Sequence, residues 1–198
     1  MSESDVNDSD IFLRDQLTFE KGKSYFICAG SGRGKTSILN FIYGSNLNYE
    51  GTISIDGRAA RPIDIDLRRR VLSYVFQDFK LFPQISLREN ILLKNRLTNH
   101  KSRKEIDELI AAVGLSEKAD TPVRTLSLGQ KQRVAVIRAM CQPFSFLLMD
   151  EPFSHLDEAN ITLLTDIIKR EVELQQAGMI VTSLGSQYHF SYDRILNL

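Results

Sequence analysis

Eight residues constrain this chain more than any others: Ala29-Gly30-Ser31-Gly32-Arg33-Gly34-Lys35-Thr36. A short apolar strand candidate, Tyr25-Phe26-Ile27-Cys28, comes before them, and a helical pattern, Ser37 to Ile42, comes after. Strand, glycine-rich turn, Lys-Thr and helix form the phosphate-binding loop, or Walker A motif. Glycines let the backbone curl so that successive N–H groups face one anion. The positive end of the following helix adds to that field. Lys35 is then placed to reach β- and γ-phosphates, and the Thr36 hydroxyl to ligate Mg²⁺. Backbone and side chains of Gly30, Ser31, Gly32, Arg33, Gly34, Lys35, Thr36 and Ser37 make up the expected nucleotide cradle. The plain alternative is a loop that merely turns a strand into a helix; Lys-Thr at the right offset argues against it.

A chain of 198 residues is long enough for one domain with a core and an appended subdomain. Lys plus Arg and Asp plus Glu balance at 25 each. Such a balance does not favour a broad nucleic-acid surface, and no nucleic-acid partner is expected. Cys28 and Cys141 are far apart and lack metal-ligand spacing, so both read as buried small hydrophobes in a reducing compartment. The acidic, polar start MSESDVNDSD is unlike a secretory signal and reads as a frayed tail over residues 1–10. No uninterrupted apolar run nears the ~20 residues of a membrane span.

Periodicity orders the rest. Ile11 to Phe19 alternates as a strand, and Gly44-Ser45-Asn46 stops the helix after the phosphate loop. Gly51 to Gly57 is a short strand ending in Asp-Gly, a hairpin signal. Val71 to Phe76 is a strand that runs into Gln77. From Ser86 to Met140 the pattern is helical, opened by the capping box Ser86-Leu87-Arg88-Glu89. Ile106, Leu109, Ile110 and Val113 lie on one helical stripe that Gly114 ends. A further helix opens at Leu126-Ser127-Leu128-Gly129-Gln130. Phe144 to Met149 is a strand buried on both faces. A long amphipathic helix, Asn160 to Gln175, and two strands, Met179 to Thr182 and Asp193 to Leu198, complete the chain. Alternating strands and helices predict an α/β fold with a mostly parallel sheet.

Asp150 and Glu151 end a buried strand. Ligands of open α/β sheets bind beyond the carboxyl ends of strands, where the phosphate loop also lies. The two motifs can meet if their strands are neighbours. Asp150 would then help hold Mg²⁺, and Glu151 would take the proton of an attacking water. Gln77, also at a strand end, can ligate Mg²⁺ weakly and orient water. Taken alone, it reads better as a surface amide at a strand end; its place between the other motifs favours the site.

The order of these motifs resembles an ATP-binding cassette (ABC) ATPase. The resemblance rests on AGSGRGKTS at 29–37, YVFQD at 74–78, LFPQISLRENI at 81–91, LSLGQKQRVAVIRAM at 126–140, LLMDEP at 147–152 and SHLD at 154–157. It covers the chain from about Ile11 onward. The LFPQISLRENI run is most similar to cassettes of bacterial importers and of lipoprotein or drug exporters. The resemblance implies a P-loop NTPase (RecA-like) core at 11–81 and 142–198, with a small antiparallel β part. A helical subdomain over about 82–141 is inserted, all within a single domain. It implies ATP and Mg²⁺ as ligands, with Thr36, Gln77 and Asp150 on the metal and Lys35, Gln77 and Glu151 in catalysis. It further implies a second cassette, identical or not, facing the first head to tail. Ser127, Gly129 and Gln130 would meet the nucleotide held by that partner, and Asp157 would couple the two sites. A transmembrane permease would dock on Gln77 to Glu89, holding the chain at the inner face of the cell membrane in the cytoplasm.

Four positions depart from the family pattern. Ala29 stands for the first loop glycine, and Leu128 for a signature glycine. Ser183 stands for a histidine that contacts the γ-phosphate, and His189 is a poor substitute for it. The family usually stacks adenine on an aromatic near the N-terminus, whereas the first aromatic here, Phe12, lies in a strand that should start later than that position. These departures imply slow hydrolysis, or in the limit a regulatory subunit that binds ATP with little turnover.

Overall fold

The computed structural model describes residues 9–11, 16–59 and 65–198. Its centre is a five-stranded sheet in the order β4-β5-β6-β1-β7, every neighbouring pair parallel. The strands are β1 (Ser24–Cys28), β4 (Leu72–Val75), β5 (Phe146–Asp150), β6 (Gly178–Ser183) and β7 (Arg194–Asn197). Side chains alternate between faces along a strand, so a sheet covered on both sides needs apolar residues at nearly every position. This one has them. Phe26, Leu147, Met149 and Val181 join one buried cluster, and Tyr25, Ile27, Leu148 and Ile180 join the other.

Helix α1 (Lys35–Tyr43) follows the phosphate loop and puts Ile38 and Leu39 into the second cluster. Gly44 ends it in the left-handed conformation, φ 69°, with its N–H on the carbonyls of Asn40 and Phe41. The last carbonyls gain a second stop that periodicity did not announce. In α2 (Ile65–Arg70), the Arg68 guanidinium donates to the carbonyls of Tyr43 and Gly44. The Asp-Gly signal gives a small antiparallel hairpin, β2 (Ser54–Ile55) and β3 (Arg58–Ala59). Asp56 and Gly57 both take positive φ, as a two-residue I′ turn demands.

Between β4 and β5 the chain is helical: α3 (Leu87–Asn95), α4 (Arg103–Ala112), two single 3₁₀ turns and α5 (Leu128–Ala139). Capping boxes start all three α-helices, at Ser86, Ser102 and Ser127. Leu87, Ile91, Ile106, Ile110 and Val134 pack in the same cluster as Phe26 and Met149, so the block shares its core with one face of the sheet. Helix α6 (Glu158–Leu174) adds Leu164 and Ile168 to that face.

The expectations for the N-terminal strand, the tail and Cys28 are corrected. The strand expected over Ile11 to Phe19 is absent where the chain is described: Ile11 lies in a turn and residues 16–19 carry no strand. Alternation there reports half-burial, not a ladder. Phe12 lies outside the described residues, as does most of the expected tail. Asp10, however, is tied down, its N–H donating to the Asn197 carbonyl at 2.9 Å and its carboxylate accepting from the Asn197 N–H. Cys141 is buried as expected, but Cys28 is only half-buried. Burial pushes the Cys141 thiol up to about 12. Finally, β1 and β5 are not neighbours, because β6 runs between them.

Candidate nucleotide-hydrolysis site

Although a strand separates them, the phosphate loop and the acidic strand end meet. Lys35 sits in the first turn of α1, behind Gly34, whose φ of 91° only glycine adopts without strain. Gly32 is left-handed too, φ 78°. Residues 30–33 are exposed while Lys35 is buried. The Lys35 ammonium folds back into the loop, donating to the carbonyls of Ala29 at 2.8 Å and Gly30 at 3.0 Å. It lies 3.6 Å from Glu151 Oε1. Thr36 and Ser37 follow on the same turn, Thr36 exposed and Ser37 half-buried. The Ala29 methyl, absent from a glycine, packs into the second core cluster beside Ile27 and Ile38, so this departure is absorbed by the core.

Asp150 ends β5, 1% exposed. Its Oδ1 accepts from the Thr182 hydroxyl at 2.7 Å, and its buried Oδ2 has no partner. A buried carboxylate oxygen left without a donor is costly. A metal-bound water is a donor that would satisfy it. Across the site the Thr36 hydroxyl is 3.5 Å from the Gln77 amide oxygen. Among the described residues no three His, Cys, Asp or Glu cluster to hold a metal by themselves. Mg²⁺ needs no such cage, since it binds through one or two protein oxygens, waters and substrate phosphates. Thr36, Gln77 and Asp150 fit that donor set.

Glu151 takes a positive φ, 47°, a conformation that costs a non-glycine residue about 1–3 kcal/mol. Hydrogen bonds hold it there. Its N–H donates to the Thr182 carbonyl at 3.1 Å, and its carbonyl accepts from Gln132 Nε2 at 3.1 Å. Gln132 Oε1 in turn accepts from the His155 N–H at 3.0 Å. Gln132 lies inside the LSLGQKQRVAVIRAM run, but nothing local in the sequence marks it for this role. The same holds for Arg138. Its guanidinium donates to the carbonyls of Phe79 and Lys80, bracing the loop after Gln77. Burial pulls that guanidinium down to about 10.

The signature residues lie elsewhere on the surface. Among the described residues, no hydrogen bond or ion pair joins Ser127, Gly129 or Gln130 to the phosphate loop. Ser127 caps α5, accepting from the Gln130 N–H, while Gln130 reaches back to the Ser127 N–H. Gly129 is required sterically: a Cβ there would come within 2.9 Å of the His155 carbonyl oxygen. Leu128 is 52% exposed and points into solvent rather than into its own domain. Asp157 caps α6 by accepting from the Asn160 N–H at 2.9 Å, and that bond holds its carboxyl below the usual range. Ser183 is buried against the Tyr188 hydroxyl at 3.2 Å. His189 is engaged with Glu158 at 2.6 Å.

The ABC transporter family profile matches residues 13–154, more than half of the chain. The chain belongs to the ABC transporter family. The cassette is 35% identical over 153 residues to an uncharacterized ABC transporter ATP-binding protein, YclH of Bacillus subtilis, covering 75% of this chain and 68% of that one. It is 33% identical to the glutamate/aspartate import ATP-binding protein GltL of Escherichia coli (87% and 73% covered). It is equally identical to the lipoprotein-releasing system ATP-binding protein LolD 1 of Rhodopirellula baltica (84% and 75%). Among solved structures, the dimeric ABC transporter cassette MJ0796 superposes with a TM-score of 0.76 at 28% identity, covering 85% of this chain and 77% of that one. The same protein in a post-hydrolysis state bound to ADP and Pi superposes with 0.75. The cassette therefore has the P-loop NTPase fold, and nucleotide binding is the common property of this group.

Proposed function

We propose that this cassette binds and hydrolyses ATP to drive a membrane permease. The observation that carries the reading is the buried Lys35–Glu151 pair beside the unpartnered Asp150 oxygen, in front of a phosphate loop. In this reading, loop N–H groups and Lys35 bind the β- and γ-phosphates. Thr36, Gln77 and Asp150 would hold Mg²⁺, whose charge would offset that of the phosphates. Glu151 takes the proton of the attacking water, and Gln77 orients that water. Fixed donors aimed at the γ-phosphate supply most of the rate.

Exposed Ser127 and half-buried Gly129 and Gln130, at the positive end of α5, would close on nucleotide held by a second cassette. ATP binding would shut that dimer and hydrolysis would release it, with Asp157 linking the two sites. The permease would dock beside Gln77 to Glu89, in a groove formed by Phe76, Phe82, Leu93, Leu97, Lys94 and Arg138. Phe82 is 59% exposed there, which suits an apolar contact. Residues 82–141 act as the helical subdomain of one cassette domain, working at the inner membrane face.

The decisive experiment is phosphate release by the cassette with its permease. Wild type should exceed Glu151→Gln by about a hundredfold or more. Equal rates would end the hydrolytic reading. A second reading, ATP binding with little turnover, is favoured by Ser183 and Leu128 alone. On that view Ser183→His with Leu128→Gly raises turnover; no gain would remove it.

A further inference from the structure

Ser183 closes β6 opposite Cys28 of β1, the residue just before the phosphate loop. On its other side Thr182 pairs with Asp150 and accepts the Glu151 N–H. The sheet therefore sets Ser183 between the root of the phosphate loop and Glu151. The residue is 2% exposed, and its hydroxyl meets the Tyr188 hydroxyl at 3.2 Å.

Tyr188 is held for this contact. It adopts a φ of 53°, a left-handed conformation that is strained for an aromatic residue. Its ring stands edge-on to Phe153, two residues past Glu151, with centroids 4.7 Å apart. Burial pushes the Tyr188 phenol up, the Ser183 hydrogen bond works against that rise, and the nearby Glu151 charge adds to it, so the phenol stays protonated. A protonated phenol can donate or accept, and either oxygen of this pair can be the donor. Ser183 has one proton and two lone pairs. If the phenol fills a lone pair, the serine proton is left to point elsewhere.

We propose that Tyr188 is a positioning residue for hydrolysis: it donates to Ser183, so that the Ser183 proton is presented to a phosphoryl group bound beside Lys35 and Glu151. Two hydroxyls in series polarise each other, which strengthens the terminal donor. The strained loop conformation has a use on this account, because a relaxed Tyr188 would leave Ser183 free to turn. The inference rests on the hydrolytic reading above and names a group that reading does not use.

The test is steady-state phosphate release by the cassette with its permease, using Tyr188→Phe, Ser183→Ala and the double variant, with Glu151→Gln alongside. Phenylalanine keeps the ring on Phe153 and removes only the hydroxyl. Tyr188→Phe should lower kcat about tenfold, the worth of one hydrogen bond, while KM for ATP and the melting temperature stay near wild type. The double variant should be no slower than Ser183→Ala, because the two hydroxyls act as one unit. A wild-type kcat for Tyr188→Phe, with Glu151→Gln inactive, overturns the positioning role and leaves the hydrolytic reading standing. So does a loss explained wholly by lowered stability, or losses that multiply in the double variant. Wild type no faster than Glu151→Gln overturns both.

Discussion

Lys35 Nζ lies 3.6 Å from Glu151 Oε1, and the two side chains are only 8% and 10% exposed. The contact joins the start of α1 to the end of β5 across the end of β6. A buried cation that donates to two loop carbonyls and faces one carboxylate is suited to accept a further anion. Lys35→Ala should therefore weaken ATP binding about 10–100-fold, as loss of a charged hydrogen-bond donor does. Titration calorimetry with ATP and Mg²⁺ checks this. Glu151→Gln should bind ATP at least as well as wild type, since it removes a negative charge from beside the phosphates. Equal affinity of Lys35→Ala and wild type would show that the lysine does not face the nucleotide.

A second buried ion pair ties the helical block to helix α6. Lys101, just before α4, donates to both oxygens of Glu171 on α6 at 3.1 and 3.0 Å. Both side chains are about nine-tenths buried. The Gln175 side chain also donates through Nε2 to Glu171, and its Oε1 accepts the Phe144 N–H at the approach to β5. Removing one member of a buried pair strands the other charge. Glu171→Leu should cost about 3 kcal/mol in urea unfolding, and Lys101→Met with Glu171→Leu should recover most of it. An additive double variant would mean that the charges do not interact.

The residues that touch phosphate were legible because chemistry restricts them. Only glycine suits Gly34, and only lysine and a hydroxyl suit the positions after it. The strands β5 and β6 were legible because burial on both faces leaves uninterrupted apolar runs. Strand order was not, because nothing local in Phe144 to Met149 states that β6 will lie between it and β1. Gln132, Arg138 and Tyr188 stayed hidden for a similar reason. Each acts on backbone or a hydroxyl of another segment, and such contacts exist only once the chain is folded. The expected strand at Ile11 to Phe19 failed because alternation marks one buried face and cannot say what covers it.

Lys94 offers a test by pH. Its ammonium sits in the groove beside Arg138, and burial, aided by the Arg138 charge, pulls it from 10.5 to about 8. The unfolded chain then holds this proton more tightly than the folded one. Between about 8 and 10.5 the unfolded state carries more protons at this site, so stability from Lys94 rises with pH through that window. Below about 8 both states are charged and the full cost of burying the ammonium remains. Lys94→Met keeps the apolar stem and removes the charge. It should raise the melting temperature at pH 7 by ~3 °C, with the gap to wild type closing as pH climbs toward 10. Comparing the two proteins cancels tyrosines and other groups that titrate in both. A gap that is constant from pH 7 to 10 would show that the Lys94 ammonium is solvated and that the groove carries no uncompensated charge.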